Sequence, residues 1–459
     1  MKDQMKEMTL RPLLMQASRA IPQVVIIGAG FAGLYATRSL SNANVNITLV
    51  DCSNHHTFQP LLYQVATAAL SPGEIAYPIR HVFRDNENVS VLLASATGFD
   101  LQHRSVLLGD NALSYDYLLV AAGATHAYFG HPEWAAFAPG LKSVEDATEI
   151  RRRMLLAFEI AERGARLNHL PAEPVNFVVI GGGPTGVELA GAIAEIAQNV
   201  LASDFRFIDP RSTRVFLVEA GPRILPAFAE SLSASAVRQL HNLGVEVMTG
   251  TAVTGIDETH VYFKDGSLRA SVVLWAAGVS ASPLGKLLGA PIDRAGRVEV
   301  RPDLTLPGYP EVFVLGDLAS IKQQNGKPVP GLAPAAIQMG QFAASCVTGD
   351  LRGEQRKPFQ YFDKGSLATI GRSSAVAEVA GLKLSGPIAW LTWLFVHVLF
   401  LIGFRSRAQV IWEWFWAYVT FSRGARLITG QSRSIVPQMP STAPEQHSVE
   451  SDGPSRRVG

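Results

Sequence analysis

A buried strand that runs straight into a glycine-rich turn and then a helix leaves a chain few ways to fold, and here that arrangement occurs twice. The first copy is Gln23-Val24-Val25-Ile26-Ile27, followed by Gly28-Ala29-Gly30-Phe31-Ala32-Gly33 and a helical pattern through Leu34, Ala36 and Leu40. A second strand, residues 46–50, ends on Asp51. Gly28 permits a tight turn, Gly30 lets a pyrophosphate approach the backbone, and Gly33 lets the helix lie close on the strand. Asp51 falls 23 residues after Gly28, where a carboxylate can hold a ribose hydroxyl. The second copy is the strand 175–180, then Gly181-Gly182-Gly183-Pro184-Thr185-Gly186 and a later strand, 213–218, that ends on Glu219. This acid lies 38 residues after Gly181, and a longer helix with the loop at 202–212 accounts for the extra length. The fold class expected is therefore α/β with two Rossmann-like dinucleotide-binding domains.

Two such units in one chain suit a flavin dinucleotide in one and a nicotinamide dinucleotide in the other. Glu219 favours NADH, because a carboxylate at a strand end accepts from a ribose 2′-hydroxyl and repels a 2′-phosphate. Ala220, Gly221 and Pro222 follow it without a base, and Arg223 is near enough in sequence to soften that preference. Two further strands, 116–120 and 271–275, end in Ala121-Ala122-Gly123 and Ala276-Ala277-Gly278. Small residues there let the backbone come close to a nucleotide, so Gly123 and Gly278 join the cofactor-binding candidates. A last strand, 311–315, ends in Gly316-Asp317.

Composition excludes several other classes. Lys and Arg number 40 against 39 Asp and Glu, too balanced for a dedicated nucleic-acid binder. The only cysteines, Cys52 and Cys346, form no Cys-x-x-Cys pair, which excludes a disulfide scaffold and a cysteine-rich metal site, and no metal is expected. Both cysteines read as small buried hydrophobes. His55 and His56 read as packing and hydrogen-bonding residues.

With these motifs the chain resembles the two-dinucleotide-domain, glutathione-reductase-like flavoprotein oxidoreductases. The resemblance implies that Asp317 contacts the ribityl or phosphate part of FAD. It also implies a split FAD domain, residues 22–139 and 284–364, around an NADH domain at 140–283. Three segments narrow the resemblance: Asn54-His55-His56-Thr57-Phe58-Gln59-Pro60-Leu61-Leu62-Tyr63-Gln64-Val65-Ala66, Gly331-Leu332-Ala333-Pro334-Ala335-Ala336-Ile337-Gln338 and Tyr361-Phe362-Asp363-Lys364-Gly365. Together they are similar to the type II NADH:quinone oxidoreductases over residues 22–430. That family implies an enzyme with FAD as cofactor, NADH as electron-donating substrate and a membrane quinone as acceptor. It implies a quinone pocket at Ala333, Ile337 and Gln338, and it makes Glu188 and Lys364 the candidates for catalytic proton supply. Pro334 departs from the Ala-Gln that many members carry and removes one amide from that pocket. The rival readings are a reductase of a protein acceptor and an NADH-sensing flavoprotein resembling the apoptosis-inducing factors. A sulfide:quinone reductase needs a cysteine pair with one member mid-chain, and no cysteine lies between 52 and 346.

After residue 385 the composition changes. Residues 386–404 contain no Asp, Glu, Lys or Arg, and residues 408–421 carry Glu413 as their one acid. Five of the seven tryptophans fall here, and Arg405, Arg407, Arg423 and Arg426 flank the two runs. Tryptophan and flanking arginine favour the headgroup boundary. Residues 365–430 are thus expected to be a membrane-associated helical region, attached monotopically to the bilayer surface, with a transmembrane hairpin less favoured. The expected location is the cytoplasmic face of the cell inner membrane. No secretory signal is read at the start of the chain. Residues 431–459, rich in Ser, Pro and Gln, read as a disordered tail. Homodimerisation stays open.

Overall fold

The β-branched runs form strands because both of their faces are covered. The structure, a computed structural model, describes residues 21–167, 173–323, 326–401, 404–420 and 424–429. The first glycine loop joins β1 (Gln23–Ile27) to α1 (Phe31–Leu40), and β2 (Asn46–Asp51), β3 (Val89–Leu93) and β4 (Tyr117–Val120) follow. A long helix, α2 (Val144–Leu167), then leads to a second set: β5 (Asn176–Ile180), α3 (Pro184–Glu195), β6 (Arg214–Val218), α4 (Glu230–Asn242), β7 (Val245–Met248) and β8 (Val272–Trp275). The chain returns to the first set with β9 (Thr305–Leu306), β10 (Tyr309–Val314) and α5 (Ala333–Leu351).

The first sheet has the order β9-β10-β4-β1-β2-β3, parallel except at β9. The second has the order β7-β6-β5-β8 and is parallel throughout. Strands buried on both faces read as unbroken apolar runs, and Val24 to Ile27 and Phe177 to Ile180 are all buried. In both sheets the glycine loop leaves the carboxyl end of a central strand, where the strand order reverses and where such folds bind ligands.

The region after residue 364 begins as a sheet, with its helices following. β11 (Ser366–Gly371), β12 (Ser374–Val379) and β13 (Leu382–Ser385) form an antiparallel three-stranded sheet. Gly191 of α3 lies so close to β11 that an added Cβ would meet the Ile370 carbonyl oxygen at 1.7 Å. Two helices follow, α6 (Pro387–Phe400) and α7 (Phe404–Thr420). The apolar run 386–404 thus ends its helix at Phe400, after 14 residues. That is about 21 Å, short of the roughly 30 Å hydrocarbon core of a bilayer. No helix among the described residues is long and apolar enough to cross a membrane.

The chain divides into a compact unit, Met1–Ile428, and a second, Thr429–Gly459, of which only Thr429 is described. The tail expected over 431–459 and the first 20 residues lie outside the described residues.

Candidate active site

Each glycine loop is held by its own chain neighbours. Gly28 has φ +96°, which favours glycine, and an added Cβ would meet the Ala121 carbonyl oxygen at 2.4 Å. A Cβ on Gly33 would strike the Gly28 oxygen at 1.8 Å, and one on Gly186 would strike the Gly181 oxygen at the same distance. By contrast, a Cβ on Gly30 or Gly183 meets nothing within 4 Å. These two residues are the N-caps of α1 and α3 and provide no side-chain cap. The first-turn N–H groups of both helices therefore face open space, the arrangement that receives a pyrophosphate.

The strand-end acids are equivalent in the two units. Asp51 accepts from the Ala29 N–H at 2.6 Å and the Ser53 N–H at 2.7 Å. Glu219 accepts from the Gly182 and Gly221 N–H groups, both at 2.6 Å. Each carboxylate thus fixes the second residue of its own glycine loop and keeps lone pairs for a further donor. Arg223 turns away from Glu219, donating to the carbonyls of Phe228 and Pro226 at 2.8 and 2.7 Å.

Gly123 (φ +65°) is open around its Cβ position, whereas Gly278 (φ +151°) lies under the Phe129 ring, 2.9 Å from an added Cβ. Asp317 sits in a short turn after β10, with Lys142 Nζ 3.8 Å from its carboxylate. Sequence reasoning missed Lys142. Its backbone N–H donates to Asp146 at 2.9 Å and its carbonyl accepts from Gln59 at 3.3 Å.

Glu188 lies on α3, one turn beyond the glycine loop, facing Thr369 of β11. Burial pushes its carboxyl up to about 8, against the opposing effect of a hydrogen bond with the Thr369 backbone. Glu188 is half-buried by its exposed area, and the direction of the shift favours its protonated form. The close packing at Gly191 brings that strand to it.

The three residues expected at the quinone pocket share the first turns of α5. Ile337 is buried, and Ala333 and Gln338 are half-buried. The Gln338 amide is a two-point clamp: Nε2 donates to the Phe362 carbonyl and Oε1 accepts from the Phe362 N–H, both at 2.9 Å. Lys364, two residues on, is exposed and places Nζ 5.4 Å from the centre of the Phe400 ring at the end of α6. The amide keeps one N–H, because Nε2 carries two hydrogens and one is engaged.

Two histidines stand closer to this centre than the sequence indicated. His56 is buried, and its Nδ1 bonds the Ala29 carbonyl of the first glycine loop at 2.8 Å. Its Nε2 is buried without a partner, an orphaned acceptor beside the loop. Burial holds the ring neutral, with its pKa down to about 4. From His56 a series of ring contacts runs through Phe31 (5.1 Å), Phe58 (5.9 Å) and His397 (6.2 Å). His397 stacks on Trp393 at 4.3 Å, and Trp393 meets Trp414 of α7 at 5.4 Å. Trp414 donates to Gln64 at 2.7 Å. A single apolar histidine in a helical run gives no signal in sequence that it faces inward.

Other expectations need correction. Cys52 is exposed; only Cys346 is buried. Arg407 does not reach outward, since it donates to the carbonyls of Leu401 and Leu399 and caps the end of α6. Arg426 pairs with Asp204. Arg423 and the Arg405 side chain lie outside the described residues. No cluster of metal-ligating side chains occurs among the described residues.

Comparison with known proteins bears on this arrangement. The family described as pyridine nucleotide-disulphide oxidoreductase matches residues 22–340, and the NDH2 C-terminal domain matches residues 364–423. The chain is 47% identical over 425 residues to the type II NADH:quinone oxidoreductase Ndh of Mycobacterium tuberculosis, covering 89% of this chain and 90% of that one. This chain belongs to the type II NADH:quinone oxidoreductases. NdhA, from the same organism, is 45% identical over 428 residues, covering 89% of this chain and 90% of that protein. Among solved structures, NDH2 from Plasmodium falciparum in complex with NADH superposes with a TM-score of 0.79 over 89% of this chain and 100% of that one. At 20% identity that likeness speaks for the fold. In this type II NADH:quinone oxidoreductase the two glycine loops, Asp317, Glu188 and the α5–Phe362 clamp are all carried within the compact unit.

Proposed function

We infer that this chain oxidises NADH through FAD and passes the electrons to a quinone. The observation that carries this reading is the 47% identity held over 89% of the chain, with family models matching residues 22–340, both glycine loops included, and residues 364–423. The open, uncapped start of α1 and the orphaned Nε2 of His56 fit a flavin dinucleotide there. FAD held there would supply the hydride acceptor for NADH and the two-electron donor for the quinone.

The chain's own residues then divide the work. Residues 22–139 and 284–364 hold FAD, and residues 140–283 hold NADH. Gly28, Gly30 and Gly33 bring the pyrophosphate to the N-terminus of α1, while Asp51 and Asp317 accept from sugar hydroxyls and Gly123 gives close backbone approach. Gly181, Gly183 and Gly186 do the same for NADH, with Gly278 alongside, and Glu219 accepts from its ribose 2′-hydroxyl. Glu188 stores a proton, since quinone reduction consumes two. Ala333 and Ile337 wall the quinone ring. Gln338 turns its remaining N–H toward a carbonyl and fixes the loop that carries Lys364.

Within residues 365–430, the outer faces of α6 and α7 meet the membrane. Ile388, Leu391, Phe395 and Leu399 form an exposed row along α6, and Ile411, Trp412, Phe415, Trp416 and Val419 form one along α7. Rows of this kind at helical spacing suit a helix lying in the headgroup boundary. NADH as substrate puts the catalytic body on the cytoplasmic side.

Rapid mixing tests the whole reading. NADH added without oxygen should bleach the flavin, a short-chain quinone should restore its colour, and denaturation should release FAD. A flavin that NADH bleaches and quinone leaves bleached would remove quinone as the acceptor. Release of FMN would remove the cofactor assignment.

A further inference from the structure

Away from the redox centre, a cleft of about 460 Å³ opens between α4 and the junction of β13 with α6. Ser235, Arg238, Gln239, His241, Ser385 and Gly386 line it, and no carboxylate does. Arg238 is exposed and makes no ion pair with any described residue.

The hydrogen bonds inside the cleft leave a donor over. Ser235 Oγ and Ser385 Oγ lie 2.6 Å apart, so one hydroxyl donates to the other. Gln239 Nε2 is 3.2 Å from each of those oxygens and 3.3 Å from the Ala375 carbonyl. The serine that accepts keeps a hydroxyl hydrogen that the other serine does not take up, while Gln239 Oε1 is buried without a partner. A free guanidinium, a spare hydroxyl and no acid make a site for an oxyanion, and guanidinium matches phosphate geometry.

The position of the cleft says which oxyanion. Gly386 lines it, and Ile388 and Leu391, at the start of the exposed apolar row of α6, come two and five residues later. A ligand here meets polar donors at one end and an apolar strip at the other. We propose that this cleft binds the phosphate of a bilayer phospholipid headgroup, with the acyl chains lying along α6. The inference rests on the surface attachment read above and adds a specific contact to it.

Flotation of the full-length, flavin-loaded protein with phosphatidylglycerol–phosphatidylcholine vesicles tests it. Arg238→Gln should weaken vesicle binding about five- to tenfold, and Ser385→Ala should weaken it less. Arg84→Gln, which removes the same charge at an exposed site elsewhere, should change little. Inorganic phosphate alone, at constant ionic strength and without vesicles, should not raise the protein's melting temperature. Unchanged binding in Arg238→Gln overturns the proposal. So does an equal loss in Arg84→Gln, which would mean general charge attraction, or a rise in melting temperature with inorganic phosphate that Arg238→Gln abolishes, which would mean a free-phosphate site. If the wild type floats with no vesicle at all, the attachment reading falls and this inference with it. Flavin content checks that each variant is folded.

Discussion

At the scale of single residues, Glu188 carries the sharpest consequence. Its folded carboxyl is raised to about 8 by burial. A raised carboxyl binds its proton more tightly folded than unfolded. Stability from this group is thus full below the ordinary carboxylate range and is lost as pH climbs toward 8, at about 1.4 kcal/mol for each pH unit climbed within that window. Glu188→Gln keeps the shape without the charge, so the fall in melting temperature between pH 6 and 9 should flatten. If Glu188 also gives a proton to quinone, flavin reoxidation should drop about a hundredfold at pH 7 in this variant. The alkaline limb of its pH profile should vanish. A variant that keeps the wild-type limb would assign that limb to another group. Glu219 makes a second residue-scale case. Its carboxylate is fixed by two N–H groups, and Arg223 is committed to carbonyls elsewhere. NADH should therefore exceed NADPH in kcat/KM by about tenfold or more, the equivalent of about 1.4 kcal/mol. Glu219→Gln should narrow that ratio, and equal constants in the wild type would show that Glu219 does not read the ribose.

At the scale of elements, the clamp between α5 and the 361–365 loop changes what a substitution at Gln338 would report. The side chain holds the Phe362 backbone at two points. Gln338→Ala therefore removes the proposed quinone donor and also frees the loop that carries Lys364. Losing hydrogen bonds of this kind costs about 1–3 kcal/mol, a loss of roughly tenfold to a hundredfold in quinone reactivity. Gln338→Glu accepts from the Phe362 N–H but cannot donate to its carbonyl, and it should be at least as slow. Lys364→Met should slow the same half-reaction, and none of the three should slow bleaching by NADH. Stopped-flow traces separate the two steps, and wild-type reoxidation in both Gln338→Ala and Lys364→Met would misplace the pocket. The elements themselves were largely legible, because a strand–glycine–helix unit is a local pattern: β1, β2, β5 and β6 begin and end within a residue of their expected bounds. What was not legible depends in part on distant chain. Glu188 is desolvated beside Thr369 of β11, some 180 residues on, and Gln338 is clamped by Phe362. Arg407 turns back to cap α6, and Cys52 is exposed although it follows a buried strand. No local period encodes any of these.

At the scale of the whole molecule, the apolar rows of α6 and α7 and the buried faces of the same helices are separate devices. Ala389, Trp393 and Val410 are buried in the body, whereas Leu391, Phe395, Phe415 and Val419 are more than half exposed. The buried faces also carry the ring contacts that run toward the first glycine loop. Deleting everything after residue 385 would strip both devices at once, exposing core around Leu367 and Val379 and removing His397 from Phe58. Charges placed only on the outer rows separate them. Leu391→Glu with Phe415→Glu should leave flavin content, melting temperature and bleaching by NADH near wild type, because both side chains are more than half exposed and, among the described rings, Phe415 meets only the exposed Trp412. The doubly substituted protein should move from the membrane pellet to the supernatant, since an acid near a bilayer surface is repelled by anionic lipid and forfeits apolar burial of roughly 25 cal/mol per Å². Its turnover with a water-soluble quinone should persist, while turnover with a long-tailed quinone in liposomes should fall at least tenfold. The last comparison decides the matter: a doubly substituted protein that still pellets with membranes and still reduces the long-tailed quinone would show that these rows are not where the enzyme meets the bilayer.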